Sequence, residues 1–280
     1  MKAGRRRQHS WFRRRSDTFT ESSGSRRQLI NGLAPFVVPI LVIATWEIAA
    51  RLGGGNDILL PPPSQVFVAL IELIRTGTLF DDITASMMRV AAGYALAVIV
   101  AVPIGLVMGY SVVFDRLLTT TVDGLRPIPA SAWIPISIIL MGIGDRPAIF
   151  LVFIGTVWSV ILNTSHGVKN VPKHLVWAAQ TMGASQGAIF MKVIFPASLP
   201  AIFTGLRIAV GIAFTNVIVA ELIAVRSGLG YLITEARMLV RTDRVIAGMV
   251  AIGAVGFALD VLVRFVMKRM LRWQKGLVTE

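Results

Sequence analysis

This chain assembles none of the side-chain sets that covalent or metal chemistry needs. Its 280 residues include no cysteine, so disulfides and thiolate metal sites are excluded. The three histidines, His9, His166 and His174, form no ligand spacing with acidic residues. No His-Glu, Ser-His or paired-carboxylate arrangement stands at catalytic spacing. A Gly-x4-Gly-Lys-Ser/Thr loop for nucleotide phosphates is missing too. We therefore assign the chain no catalytic residue, no metal site and no cofactor of its own. The ionisable groups inside long apolar runs are few: Glu47, Glu221 and Asp260. In a bilayer such groups can mark an ion pathway, but three of them without a detectable internal repeat make a thin basis for ion coupling.

The elements that would position these groups are membrane spans. Charged residues make up 15% of the chain, against about 25% in a typical soluble domain, and the mean hydropathy is +0.71. Apolar runs of about 20 residues, the length a bilayer requires, cover 33–50, 86–110, a third segment ending at Gly142, then 148–163, 202–223 and 245–265. The fold class is thus an all-α, polytopic membrane protein with about six transmembrane helices. The third segment is broken by Pro127, Pro129 and Pro135. A proline removes a backbone donor, and so broken a span is tolerated where it is buried in protein or lines a wet cavity. These prolines, with the polar span residues Asn163, Asn216 and Glu221, are the candidates for a translocation pathway. Gly105 and Gly109 form a small-xxx-small pair suited to close helix packing. Arg89 stands near a membrane boundary, from which it is expected to snorkel to the interface. After Leu60-Pro-Pro-Pro-Ser64, with Ser64 as the expected N-cap, a short amphipathic helix carries Val66, Phe67, Leu70, Ile71 and Ile74 on one face and is expected to lie at the outer membrane surface.

Charge placement orients the chain. Nine of the 28 basic residues precede residue 33, and five lie from Arg264 onward. Clusters beside the first and last spans fit two cytoplasmic termini in contact with anionic lipid, and they leave no need for a nucleic-acid partner. With six spans, the N-terminal tail, the 111–126 and 165–200 loops and the C-terminus share one side, which holds 19 basic residues against seven on the other. The N-terminal segment is read as an uncleaved cytoplasmic tail.

The 165–200 loop is too long and too patterned to be a plain connection. Pro172 opens a helix holding Trp177, Ala178, Ala179 and Met182, which Gly183 ends; a second short helix, 188–195, is expected to stop at Pro196. The Ala-Ala, three-residue, Gly spacing followed by a hydrophobic-rich run to that proline resembles the cytoplasmic "EAA" loop of bacterial ABC importer permeases. Leu199-Pro200, Thr204-Gly-Leu-Arg207, Ala220-Glu221-Leu222 and Ser227-Gly-Leu-Gly-Tyr231 extend the likeness. Over about 80–268 the chain is similar to the type I ABC importer permease domain, in the branch that imports sulfonates, taurine and nitrate. The Leu-Pro-x-Pro-Ser step at 60–64 fits the same branch.

The resemblance implies the permease subunit of an ATP-driven importer in the bacterial inner membrane. Trp177, Ala178, Ala179, Gly183 and Pro196 would belong to a loop that docks on a separate ABC ATPase. It implies two ATPase copies carrying ATP and Mg, a second permease subunit, most simply an identical one, and an extracytoplasmic solute-binding protein. The solute would be a small oxyanion. Trp177 departs from the pattern, standing where the family usually has Glu, and Phe195 precedes Pro196 where Leu is common. The expected organisation is a basic tail (1–32), a first span with an outer amphipathic segment (33–79), the permease domain (80–268) and a cytoplasmic C-terminal tail (269–280). The alternative function is a gradient-driven transporter or channel.

Overall fold

The computed structural model describes the backbone of residues 22–52 and 60–270, and the side chains of residues 37–52 and 60–270. Most of the basic tail and the final ten residues lie outside these. Among the described residues there is no strand. The chain divides into two compact units at Ser64.

In the first unit, α1 (Ser22–Leu52) contains the expected 33–50 span. Near its end Glu47 pairs with Arg51 at 2.6 Å and accepts hydrogen bonds from the Ser64 amide and hydroxyl at 3.1 and 3.0 Å. Ser64 therefore bonds to a carboxylate instead of capping the next helix, which already begins at Pro63.

That helix, α2 (Pro63–Arg75), buries Val66, Ala69 and Leu73. Phe67 and Ile74, on the apolar face read from the sequence, are exposed, as residues that meet a membrane surface would be.

The second unit is built on three long helices. α3 (Thr78–Tyr110) and α6 (Asp145–Lys169) pack closely along a ladder of small residues. A Cβ at Gly93 would stand 2.6 Å from the Val152 Cβ, and one at Gly105 would stand 2.6 Å from the Thr164 Cβ. Ala97 and Ala101 complete the four-residue repeat and are fully buried. Gly109 meets Val168 in the same way. Each contact pairs residue i with residue i+59, so α3 and α6 run in the same direction. The chain between them must therefore recross whatever thickness they span.

That return is the proline-rich segment, and here the structure differs from the sequence expectation. Residues 111–126, taken as a loop, form α4 (Val112–Leu125). After a 3₁₀ turn at Ala130–Trp133 comes α5 (Ile134–Met141), with Pro135 in its first turn. α4 and the segment Ala130–Met141 meet at a bend of 83°, which makes them a broken fifth candidate span beside four continuous ones among the described residues. Pro127 and Pro129 occupy the bend, where no helical carbonyl needs their missing amides.

Beyond α6 lie α7 (Lys173–Thr181), α8 (Gln186–Ile189), a π-helical turn at Phe190–Ile194 and α9 (Phe195–Glu221). α9 runs antiparallel to α6, with Gly205 against Asn163 and Gly155 against Asn216. Pro196 does not end a helix as expected; it occupies the first turn of α9. The preceding π turn carries the missing amide: the Phe195 N–H reaches back to the Phe190 carbonyl, and Gln186–Glu221 is one continuous span. α10 (Leu229–Met238) and α11 (Thr242–Met270) complete the unit.

Candidate functional site

The bundle has two contrasting ends and, between α4, α6 and α9, a cavity with polar lining. The α7 end is built from the 165–200 loop. Pro172 precedes the helix and its carbonyl accepts from the Leu175 amide, as a fixed φ before a first turn allows. Gly183 closes the helix at φ +77°, and its Cβ position is open space. The constraint there is backbone handedness alone, the left-handed turn that glycine adopts without penalty. The Ala184 amide reaches back to the Ala179 carbonyl at 3.1 Å and sets the exit direction.

The two alanines do different work. Ala179 is buried with Val168, Val171, Ile189 and Ile194 in a small apolar cluster that fastens α7 to the bundle. Ala178 faces outward on the same stripe as His174, Trp177 and Thr181. Trp177 is 61% exposed and Met182 80% exposed. An exposed indole and thioether beside a bare alanine make a flat apolar face of the kind that meets a partner. Pro196 does not share it; it lies half-buried behind the loop.

The α10 end is organised around Arg89. Far from snorkelling, this residue is 5% exposed. Its Nε donates to Asp145 at 2.7 Å, Nη1 to Glu221 and the Ser227 carbonyl at 2.8 Å each, and Nη2 to the Ser227 hydroxyl at 2.6 Å. Glu221 is fully buried and also accepts from the Ser86 hydroxyl and the Gly230 amide. Asp82 accepts from the Gly228 amide at 2.7 Å. Four helices and the Ser227-Gly-Leu-Gly turn thus share one hydrogen-bonded cluster, which satisfies a buried charge as the interior demands. Sequence reading missed it because its members are up to 146 residues apart.

The six pathway candidates are not brought together. Pro127, Pro129 and Pro135 are exposed around the bend. Asn163 lines a cavity of about 480 Å³ between α4, α6 and α9, with Asp123, Arg126, Trp158 and Ser159. Asn216 touches Gly155, another wall residue, while bonding to its own helix at Ile212. Glu221 belongs to the Arg89 cluster and lines no part of that cavity. Arg207 pairs with Asp260 across α9 and α11 at 3.5 Å. Among the described residues no group of three or more His, Asp or Glu is placed to hold a metal.

Comparison with known proteins agrees with this architecture. A family model described as "Binding-protein-dependent transport system inner membrane component" matches residues 101–272. An ABC transporter permease protein of Methanocaldococcus jannaschii is 41% identical, over 85% of this chain and 91% of that one. The aliphatic sulfonates transport permease protein SsuC of Escherichia coli is 34% identical, over 86% and 92%. A crystal structure of an amino acid ABC transporter superposes with a TM-score of 0.59, covering 72% of this chain and 97% of that one at 15% identity, a likeness of fold alone.

Proposed function

The chain belongs to the binding-protein-dependent transport system inner membrane component family and is the permease subunit of an ABC importer, and from that premise we propose that α7 is the lever through which a partner ATPase drives it. The observation that carries this reading is the division of labour in α7. Its Ala179 face is packed into the bundle, while Trp177 and Ala178 present an unpartnered apolar face outward. Such a helix transmits a push to the spans as a rigid body. The chain is a multi-pass membrane component without enzymatic activity of its own, and the family works with an ATPase and a binding protein. We place ATP and Mg on two ATPase copies, pair the permease with a second identical subunit, and put the α7 end and both termini in the cytoplasm, as the basic-residue bias supports.

The solute is proposed to be a small oxyanion of the sulfonate, taurine or nitrate kind, an assignment supported by the sulfonate permease among the relatives. The gradient-driven alternative has lost its footing. Glu47, Glu221 and Asp260, the groups that suggested it, are each held in an ion pair with an arginine.

Replacing Gly183 by valine tests the lever. A β-branched residue at φ +77° costs about 1–3 kcal/mol locally and misdirects the exit from α7. The expected result is membrane insertion at normal levels with ATP-driven uptake abolished. Normal uptake by this variant would refute the reading.

A further inference from the structure

The cavity beside α4 contains two opposite charges that do not neutralise each other. Asp123 and Arg126 stand one turn apart at the end of α4, and both line the cavity. Residues three apart on a helix are neighbours. Nevertheless, neither side chain has a hydrogen bond or ion pair among the described residues. Four other acids of the unit are paired: Asp115 with Lys169, Asp145 and Glu221 with Arg89, and Asp260 with Arg207 and Arg264. The opposite wall, on α6, adds the Ser159 hydroxyl, the Asn163 amide and the Trp158 ring. Asn163 donates one amide N–H to the Ser159 carbonyl at 2.8 Å and has a second donor and an acceptor with no partner among the described residues. A volume of about 480 Å³ is ample for a small solute.

We propose that this cavity is a binding site for a small zwitterion, with its acid group on Arg126 and its ammonium on Asp123. A guanidinium holds a sulfonate or carboxylate through charge-assisted hydrogen bonds, and a carboxylate does the same for an ammonium. Neighbouring positions on one helix set a separation that a short carbon spacer bridges. The indole face of Trp158 offers a second surface for a cation. A simple inorganic anion would leave Asp123 as an uncompensated like charge in its own site, an arrangement that selects against it. The inference rests on the reading of the chain as a permease for small oxyanions and narrows that class to members carrying an amine.

The test is binding of radiolabelled taurine to the purified permease–ATPase complex in nanodiscs, without the binding protein, competed by unlabelled taurine, ethanesulfonate or ethylamine. Taurine is expected to compete at concentrations about 10-fold lower than either one-charge analogue, the return from one additional charge-assisted hydrogen bond. Asp123→Asn should erase its advantage over ethanesulfonate, and Arg126→Gln its advantage over ethylamine. The binding each variant retains reports that it is folded. Equal competition by taurine and ethanesulfonate, unchanged in Asp123→Asn, overturns the zwitterion site, as does the absence of saturable binding. Uptake of ethanesulfonate by the whole transporter separates the two levels. If it proceeds while the binding experiment fails, the zwitterion site alone is wrong. If no sulfonate is taken up, the oxyanion reading fails and takes the site with it.

Discussion

The two ends of the bundle solve opposite problems. At the α10 end, polar groups turn inward and satisfy one another: Arg89, Glu221, Ser86 and the Ser227–Gly230 backbone form a cluster that the chain completes by itself. At the α7 end, a thin apolar cluster around Ala179 holds the helix, and the larger apolar side chains, Trp177 and Met182, point outward. A buried charge cluster has one satisfactory arrangement, and every departure leaves a charge unpaired. Apolar contact is non-directional and tolerates small shifts. The first end is built to keep its shape; the second, on the proposal that α7 docks on the ATPase, is the end that would move with a partner.

Substitutions can break this contrast, and Arg89→Met should have the largest effect. It leaves Glu221 buried without its cation, at a cost of about 3–5 kcal/mol. Thermal unfolding in detergent should show the loss, and the double variant Arg89→Met with Glu221→Leu should recover much of it. An unchanged melting temperature in the single variant would mean that the cluster does not hold this end. A smaller effect is expected where α7 meets the bundle. Ala179→Leu overpacks a buried site at about 1–3 kcal/mol, whereas Ala178→Leu, one residue earlier and exposed, should leave the melting temperature alone and weaken association with the ATPase. Equal destabilisation by the two would contradict the assignment of faces. The smallest effect on the isolated chain belongs to Trp177→Ala. Its stability should stay within about 0.5 kcal/mol, while affinity for the ATPase, measured with the purified partner, drops by about 10-fold or more.

Legibility in the sequence followed the range of the interactions. Pro172 and Gly183 were readable as the ends of α7 because both act on the backbone beside them. Gly105 and Gly109 announced close packing through their spacing, but not which helix they would meet. Pro196 misled, since a π turn outside the usual helix-stop rules absorbs its missing amide. Arg89 misled more deeply. An arginine near the edge of an apolar run reads as a surface residue until Asp145, Glu221 and Ser227, 56 to 138 positions away, are placed around it. The outward face of α7 was half legible: the small residues marked the helix, but only the fold shows that Ala178 is exposed and Ala179 buried.

The parallel pairing of α3 and α6 also sets a schedule for synthesis. Adjacent antiparallel helices can close as soon as the second emerges, but each rung of this ladder joins residues 59 apart, with the broken α4–α5 segment laid down between them. At about 5–20 residues per second, Gly93, Gly105 and Gly109 wait roughly 3–12 seconds for their partners. During that interval a glycine-notched helix face is open to lipid or to any other nascent helix. The bundle is therefore most exposed to mispairing before its sixth helix exists.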